Sequence, residues 1–234
     1  MKFAARGAAF FAVFLLACAT FSPRSGAQKF SWNLDGVLKQ LDEESKGFQS
    51  LTAAIDRTKV TVVVNDKSTE SGEIWVRRDD KMRIDFDKPD KRTIMRNGNT
   101  LDVYTPKISR VEEYDLGKHR ALVDQFLLLG FGTSGSNLEK SYLVTFLGEE
   151  AIDGRRTVKL ELTPKSEDVR NQVSKIHIWI DIATWLPDQQ QFFETGSGDY
   201  LLIHYSNVVK NVRIGDDQFK PNWPKNTSRI KPTN

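Results

Sequence analysis

The chain has 234 residues, a formal net charge of +3 and a single cysteine. This length predicts one domain, with a core large enough to fold without a disulfide or a structural metal. The balanced charge lacks the clustered lysines and arginines of a nucleic-acid-binding protein. One cysteine excludes an intrachain disulfide and any metal site built from cysteines. We therefore expect no nucleic-acid partner, no metal and no cofactor.

Residues 1–27 have the features of a signal peptide. A short basic start precedes the small and apolar stretch 7–19, which is too short to span a bilayer but typical of a signal-peptide core. Small residues at 25–27 suit cleavage before Gln28. Cleavage there would remove three basic residues and leave a mature domain, 28–234, with no net charge. We expect an exported protein without a later membrane-spanning stretch.

Cys18 leaves a second processing route open. Residues 15–18 read Leu-Leu-Ala-Cys, as in a bacterial lipobox, where the cysteine is acylated and becomes the new N-terminus. In that case the mature protein is tethered to a membrane by lipid. Otherwise Cys18 is an ordinary residue of the signal peptide and is removed with it.

A first helix is predicted from residue 34 onward. Leu34, Val37, Leu38 and Leu41 recur at helical spacing with polar residues between them. Gly47 suits the end of this amphipathic helix. After that glycine, threonine and valine become more frequent, which predicts that the strands begin there.

From residue 52 to residue 220 the two-residue alternation of β-strands dominates. Turn pairs such as Asn97-Gly98 and Asp153-Gly154 separate the alternating runs, which predicts an antiparallel meander of about eleven strands. A sheet of this size must close, split or have its concave face covered, and helices that cover it would leave an apolar hollow. On two neighbouring strands the residues predicted to face that hollow are Ile74, Val76, Met82, Ile84 and Phe86.

A second helix is predicted over residues 118–129, before a Gly/Ser-rich run at 130–136 that is expected to be a flexible loop. This helix ends in an apolar run that could plug the hollow or pack permanently in the core, and its burial pattern leaves both interpretations open. The run consists of Phe126, Leu127, Leu128 and Leu129.

The sequence offers no recognisable catalytic constellation. Its three histidines lack metal-ligand spacing, no serine stands in a G-x-S-x-G motif, and adjacent carboxylates lie at turns or on a helix surface. We therefore expect a binding protein rather than an enzyme.

Several segments resemble one known family. Residues 71–78 read Ser-Gly-Glu-Ile-Trp-Val-Arg-Arg, which resembles the G-x-(L/I)-W-V-(K/R)-R-P strand of periplasmic outer-membrane lipoprotein carriers of the LolA type. Residues 88–106 resemble its P-D and D-G-k-t-L-W-x-Y-x-P elements, and residues 162–165, Leu-Thr-Pro-Lys, resemble its L-x-P-k. The pieces occur in the family's order across roughly residues 34–225.

The resemblance implies a mainly β (α+β) fold: an incompletely closed antiparallel β-barrel of about eleven strands with a helical lid over an apolar cavity. It implies a periplasmic carrier that shuttles lipoproteins from the inner to the outer membrane. The implied partners are lipoprotein acyl chains, an inner-membrane ABC extraction complex and an outer-membrane acceptor. We expect the carrier to be a monomer.

Arg78 matches the family's arginine at a strand end, which is thought to hydrogen-bond the lid and govern cargo release. In sequence it has the parity of Ile74 and Val76, which predicts a position at the rim of the hollow. An inward guanidinium would need acceptors, and lid carbonyls would supply them. The alternative is that the chain bends and leaves Arg78 in water.

Two other functions stay open. A lipidated Cys18 would make the protein an anchored outer-membrane receptor, or a lipid-binding lipoprotein, of the same fold. A periplasmic lipid sensor with a regulatory role is the second alternative, although sensors of this fold usually carry an additional domain.

Overall fold

A computed structural model describes residues 31–117 and 129–232 of the chain. The predicted signal peptide, including Cys18, lies outside the described residues. So do Phe126, Leu127 and Leu128 of the predicted second helix.

Twelve strands form one sheet within the described residues. They are β1 (Ser50–Thr61), β2 (Asp66–Arg77), β3 (Lys81–Lys88), β4 (Arg92–Asn97), β5 (Thr100–Thr105), β6 (Arg110–Asp115), β7 (Tyr142–Ile152), β8 (Arg155–Pro164), β9 (Val173–Asp181), β10 (Pro187–Glu194), β11 (Tyr200–Lys210) and β12 (Ser228–Ile230). The helices are α1 (Leu34–Gly47), α2 (Gly135–Ser141) and α3 (Glu167–Arg170), with 3-10 turns at Pro106–Ile108 and Asp216–Phe219.

The sheet is open, with β12 and β7 at its two edges. Its strand order is β12-β6-β5-β4-β3-β2-β1-β11-β10-β9-β8-β7. Hydrogen bonds therefore do not close the barrel, and the predicted mainly β fold with an incompletely closed barrel is confirmed.

The C-terminal tail corrects the purely antiparallel prediction. Ser228–Ile230 form β12, which pairs in parallel with β6. Ser228 also donates its backbone N–H to the carbonyl oxygen of Ser109 over 2.9 Å. The other strand pairs are antiparallel, so the sheet is mixed at one edge only within the part of the chain described here.

The alternation of the sequence sets the buried face of β2 and β3 as predicted. Cross-strand pairing places Ile74 opposite Ile84 and Val76 opposite Met82. All four side chains are buried, together with Phe86. The hydrophobic effect fixes this register, because a slip of one residue would expose the whole set.

Strand β1 ends at Thr61, although the strand-forming valines continue to residue 64. Val60 is buried in β1, but Val62 and Val64 lie in the connecting turn and are exposed. The turn is set by the pairing of Thr61 with Asp66 and by Asn65, whose φ of 50° is left-handed. Local turn geometry here overrides the strand preference of valine.

Helix α1 has the extent that its apolar spacing predicts. Its N-cap residue Asn33 accepts a hydrogen bond from the N–H of Gly36 over 2.8 Å, which satisfies one of the free donors of the first turn. Its buried face carries Val37, Leu38 and Leu41.

Two apolar clusters form the core. The first contains Val37 and Leu41 of α1 with inward residues of β8, β9 and β10, and the second contains inward residues of β1, β2 and β3 with Phe48 and Phe131. Helix α1 therefore packs against one half of the sheet, and Phe48, which follows it, packs against the other.

The Gly/Ser-rich run is packed rather than flexible, in contrast to the prediction. Gly130 and Phe131 are buried. A Cβ atom added at Gly132 would collide with the ring of Phe48, and one added at Gly135 would collide with the backbone of Leu38. These glycines let the segment approach α1 closely.

Gly72 gives a direct test of the register of β2 and β3. The pairing of these strands shifts between Ser71 and Gly72, and an added Cβ would strike the carbonyl oxygen of Asp85. Because that obstacle is backbone, we expect Gly72→Ala to lower the free energy of unfolding by roughly 1–3 kcal/mol in denaturant titrations. Gly47→Ala is the control, since a Cβ at Gly47 meets nothing within 4 Å. Equal stability of the two variants would contradict the register.

Candidate functional site

An apolar cavity of about 210 Å³ lies on the inner face of the sheet. Engineered cavities of about 150 Å³ already bind benzene, so this one is large enough for a segment of an acyl chain. The predicted residues Ile74, Ile84 and Phe86 contribute to its wall. The complete lining is Ile55, Arg57, Ile74, Ile84, Phe86, Arg92, Ile94, Phe192, Leu201, Ile203 and Tyr205.

A second cavity, of about 280 Å³, lies at the C-terminal end of β2. Val76, Arg78 and Leu129 are predicted site residues that line it, together with residues of the 131–142 segment. Met82 is fully buried in the core cluster and is not among the residues that line either of the two cavities.

Arg78 joins the end of β2 to the end of α1. Its Nη1 donates to the carbonyl oxygens of Ser45 (3.1 Å), Lys46 (3.2 Å) and Phe48 (3.1 Å). These carbonyls belong to the last turn of a helix, where the partial charge is negative and a cation is stabilised. Arg78 is exposed at the rim and faces helix carbonyls rather than the apolar interior.

Gln190 connects the two cavity regions and was not identified from the sequence. Its Nε2 donates to the carbonyl oxygen of Leu129 over 2.6 Å, and its Oε1 accepts from the hydroxyl of Tyr205 over 3.0 Å. Burial raises the pKa of Tyr205, which keeps the hydroxyl protonated as a donor. Both hydrogen bonds are buried, so Gln190 fixes Leu129 against the inside of the sheet.

Two arginines at one end of the apolar cavity were also missed. Arg57 and Arg92 line that cavity, and both donate to the carboxylate of Glu70. Arg57 lies two residues from Ile55, and Arg92 lies two residues from Ile94. Period-two alternation therefore places each arginine on the same face of the sheet as that isoleucine. That signal is weak for arginine, because charged residues usually occupy the solvent face.

Asp188 on β10 is a buried carboxylate with a perturbed pKa. Burial raises its pKa to about 6, while Arg155, with its Nε 3.0 Å from Oδ2, opposes the rise. Asp181, His204 and Asp153 are the other charged groups that influence it.

Neither a metal cluster nor a membrane-spanning helix is found in the part of the chain that the structure describes. No three His, Cys, Asp or Glu residues there are grouped to hold a metal ion. No helix in the same residues is long and apolar enough to cross a membrane.

Comparison with protein families gives one decisive match. The family model described as "Outer membrane lipoprotein carrier protein LolA" matches residues 46–222. The chain belongs to the LolA family. The match covers β1 through β11, which includes both cavities and Arg78.

Individual relatives of this LolA-family chain are distant. An uncharacterised protein of Methanocaldococcus jannaschii is 23% identical over 188 residues, and the match covers 80% of this chain and 51% of the relative. The chain therefore spans about half the length of the curated relative it matches.

Two solved structures share its fold. An uncharacterised conserved protein of Thermus thermophilus superposes with a TM-score of 0.56 at 9% identity, covering 85% of this chain and 98% of that chain. MucB, whose complex with MucA was solved for Pseudomonas aeruginosa, superposes with a TM-score of 0.51 at 17% identity, covering 81% of this chain and 62% of that chain.

Asp188 gives the LolA-family chain a testable pH dependence. Because its pKa is higher in the folded state than in the unfolded chain, the fold binds the proton more tightly and gains stability as the pH falls from about 7 toward 4. We expect Asp188→Asn to remove this gain, as measured by chemical denaturation across that range. Arg155→Gln should move the gain to higher pH, because Arg155 lowers the pKa of Asp188. Identical pH profiles for all three proteins would contradict the assignment.

Proposed function

We propose that this LolA-family chain is a periplasmic carrier that binds acyl chains of lipoproteins and has no catalytic activity. The observation that carries the proposal is the apolar cavity of about 210 Å³ on the inner face of an open sheet. Apart from two arginines and Tyr205, only aliphatic and phenylalanine side chains line that cavity. Such a lining favours an apolar ligand without specifying its atoms.

The energetics of acyl chains define what a carrier must do. Each buried methylene is worth about 0.8 kcal/mol, so one long chain prefers a membrane by on the order of 10 kcal/mol. A soluble carrier therefore needs an energy-consuming donor, and we propose an inner-membrane ABC extraction complex as the donor and an outer-membrane acceptor as the destination. We propose that the chain meets both as a monomer after export.

Filling the cavity tests acyl-chain binding directly. Ile84 and Ile203 both line the apolar cavity, and Ile203 is only partly buried. We expect Ile84→Trp and Ile203→Trp to weaken binding of a fluorescent apolar probe such as N-phenylnaphthylamine at least tenfold, because the indole takes the space of the ligand. Ile108→Trp is the matched control, since Ile108 is 52% exposed and should leave binding unchanged. Native mass spectrometry of the purified protein should also detect lipid.

The cavity-filling result has a clear negative outcome. Probe binding that persists in both folded variants, as judged by circular dichroism, would mean that the probe does not enter this cavity. The carrier proposal would then lose its supporting observation.

We further propose that Arg78 controls release. Its three hydrogen bonds hold the end of α1 against β2, and a ligand that displaces this end must break them. Arg78→Leu should therefore tighten lipid binding and slow release about fivefold, which corresponds to about 1 kcal/mol. Stopped-flow release of a fluorescent lipid measures the rate.

Arg77→Leu controls for the loss of an arginine at the same strand end. Arg77 donates to Asp79, Asp216 and the carbonyl oxygen of Ile214, and these contacts do not involve α1. Its release rate should match that of the unmodified protein. A rate for Arg78→Leu that is equal to or faster than this control would contradict the proposed role.

A lipid-anchored receptor of the same fold is the second candidate, and the lipobox-like segment that ends at Cys18 favours it. Mass spectrometry of the mature N-terminus distinguishes the two. A chain that begins at Gln28 supports the free carrier, whereas a diacylated Cys18 supports the anchored receptor.

A further inference from the structure

Two guanidinium groups share a single carboxylate at one end of the apolar cavity. Arg57 Nη1 lies 2.7 Å from Glu70 Oε2, and Arg92 Nη2 lies 2.6 Å from the same oxygen atom. Arg57 and Glu70 are directly paired across β1 and β2, and Arg92 is paired with Phe86 across β4 and β3. The three side chains therefore carry one net positive charge.

These arginines form part of the cavity wall. Both line the cavity, and the guanidinium carbon of Arg92 lies 5.1 Å from the centre of the Phe86 ring, which also lines it. The side chains of Arg57, Glu70 and Arg92 are 35%, 21% and 29% exposed. An opposite charge placed beside them is only partly screened by solvent.

Their donor capacity exceeds the acceptors that surround them. A guanidinium has five N–H donors, yet among the described residues Glu70 is the acceptor for both arginines. Arg92 Nε is a buried donor without a hydrogen-bond partner in the same residues. A buried donor left without an acceptor is costly, and an anionic ligand would supply one.

We propose that Arg57 and Arg92 bind the anionic head of an amphipathic ligand whose acyl chain occupies the apolar cavity. The head is a carboxylate or a phosphate, and its charge neutralises the excess positive charge of the cluster. This inference rests on the proposed function, because the cavity must first accept an acyl chain. It adds that the preferred ligand is an acidic lipid rather than an uncharged one.

The competing explanation is that the three residues form a purely structural ion-pair network. The two explanations differ in what Glu70 does. As a structural partner, Glu70 supports the arginines, and its loss would weaken or leave unchanged any ligand binding. As a competitor for the same donors, its loss would free both guanidinium groups and tighten binding of an anion.

The experiment compares three ligands with the same twelve-carbon chain: dodecanoate, dodecyl phosphate and dodecan-1-ol. The protein is purified in its naturally processed form and freed of lipid. Displacement of N-phenylnaphthylamine by each ligand is then measured at pH 8. We expect both anions to bind about tenfold more tightly than the alcohol, because a charge-assisted hydrogen bond forms only with the anions. A preference between dodecanoate and dodecyl phosphate identifies the head group.

Three variants complete the test. Arg57→Gln/Arg92→Gln should abolish the preference for anions, so that this variant binds both anions no more tightly than it binds dodecan-1-ol, whereas Glu70→Gln should tighten the anions further. Arg156→Gln/Arg229→Gln is the matched control, because both arginines are exposed and each is paired with a glutamate elsewhere on the surface. It should retain the full preference for anions.

The outcomes separate this inference from the proposed function. Equal binding of all three ligands to the unmodified protein would overturn the anionic-head site and leave the carrier intact. Failure of all three ligands to displace the probe would overturn both. Should the double arginine variant fail to fold, Glu70→Gln still decides, since weaker or unchanged anion binding in that variant contradicts the proposal.

Discussion

The open seam of the sheet is the constraint on which the rest of the molecule depends. Because β7 and β12 are its two edges, the curved inner face cannot be completed by strand pairing and must be covered by other parts of the chain. Helix α1 and the segment after residue 129 do this with Val37, Leu41 and Phe131. Covering a curved face with short elements leaves voids that a closed small barrel would fill with its own side chains.

Charged and polar groups lie around these voids. Arg78 ties β2 to α1 at one end, the arginines on Glu70 lie at the other, and Gln190 connects the wall to Leu129 between them. Each of these groups is held in place by hydrogen bonds. A ligand that enters must exchange some of these contacts for its own, which couples binding to movement of the covering elements.

Period-two alternation made most of the fold predictable from the sequence. It assigned Ile74 and Ile84 to the buried face because burial of such residues is strongly favoured and the pleat leaves one choice of face. It could not predict β12, whose residues are exposed and do not alternate, nor the turn at Val62, where backbone geometry decides. The inward position of Arg57 depends on its neighbours across the sheet, which a single sequence does not reveal.

The parallel pairing of β12 with β6 makes the two edges of the sheet differently accessible to an added strand. The backbone of β6 is engaged by the chain's own tail, so an extended peptide cannot add there without first removing Ser228–Ile230. Along β7, pairing within the described residues involves β8 alone, and Leu143 and Leu147 project into solvent. Among the described residues, the β7 border therefore presents the longer sheet edge, with 11 residues in β7 against 3 in β12.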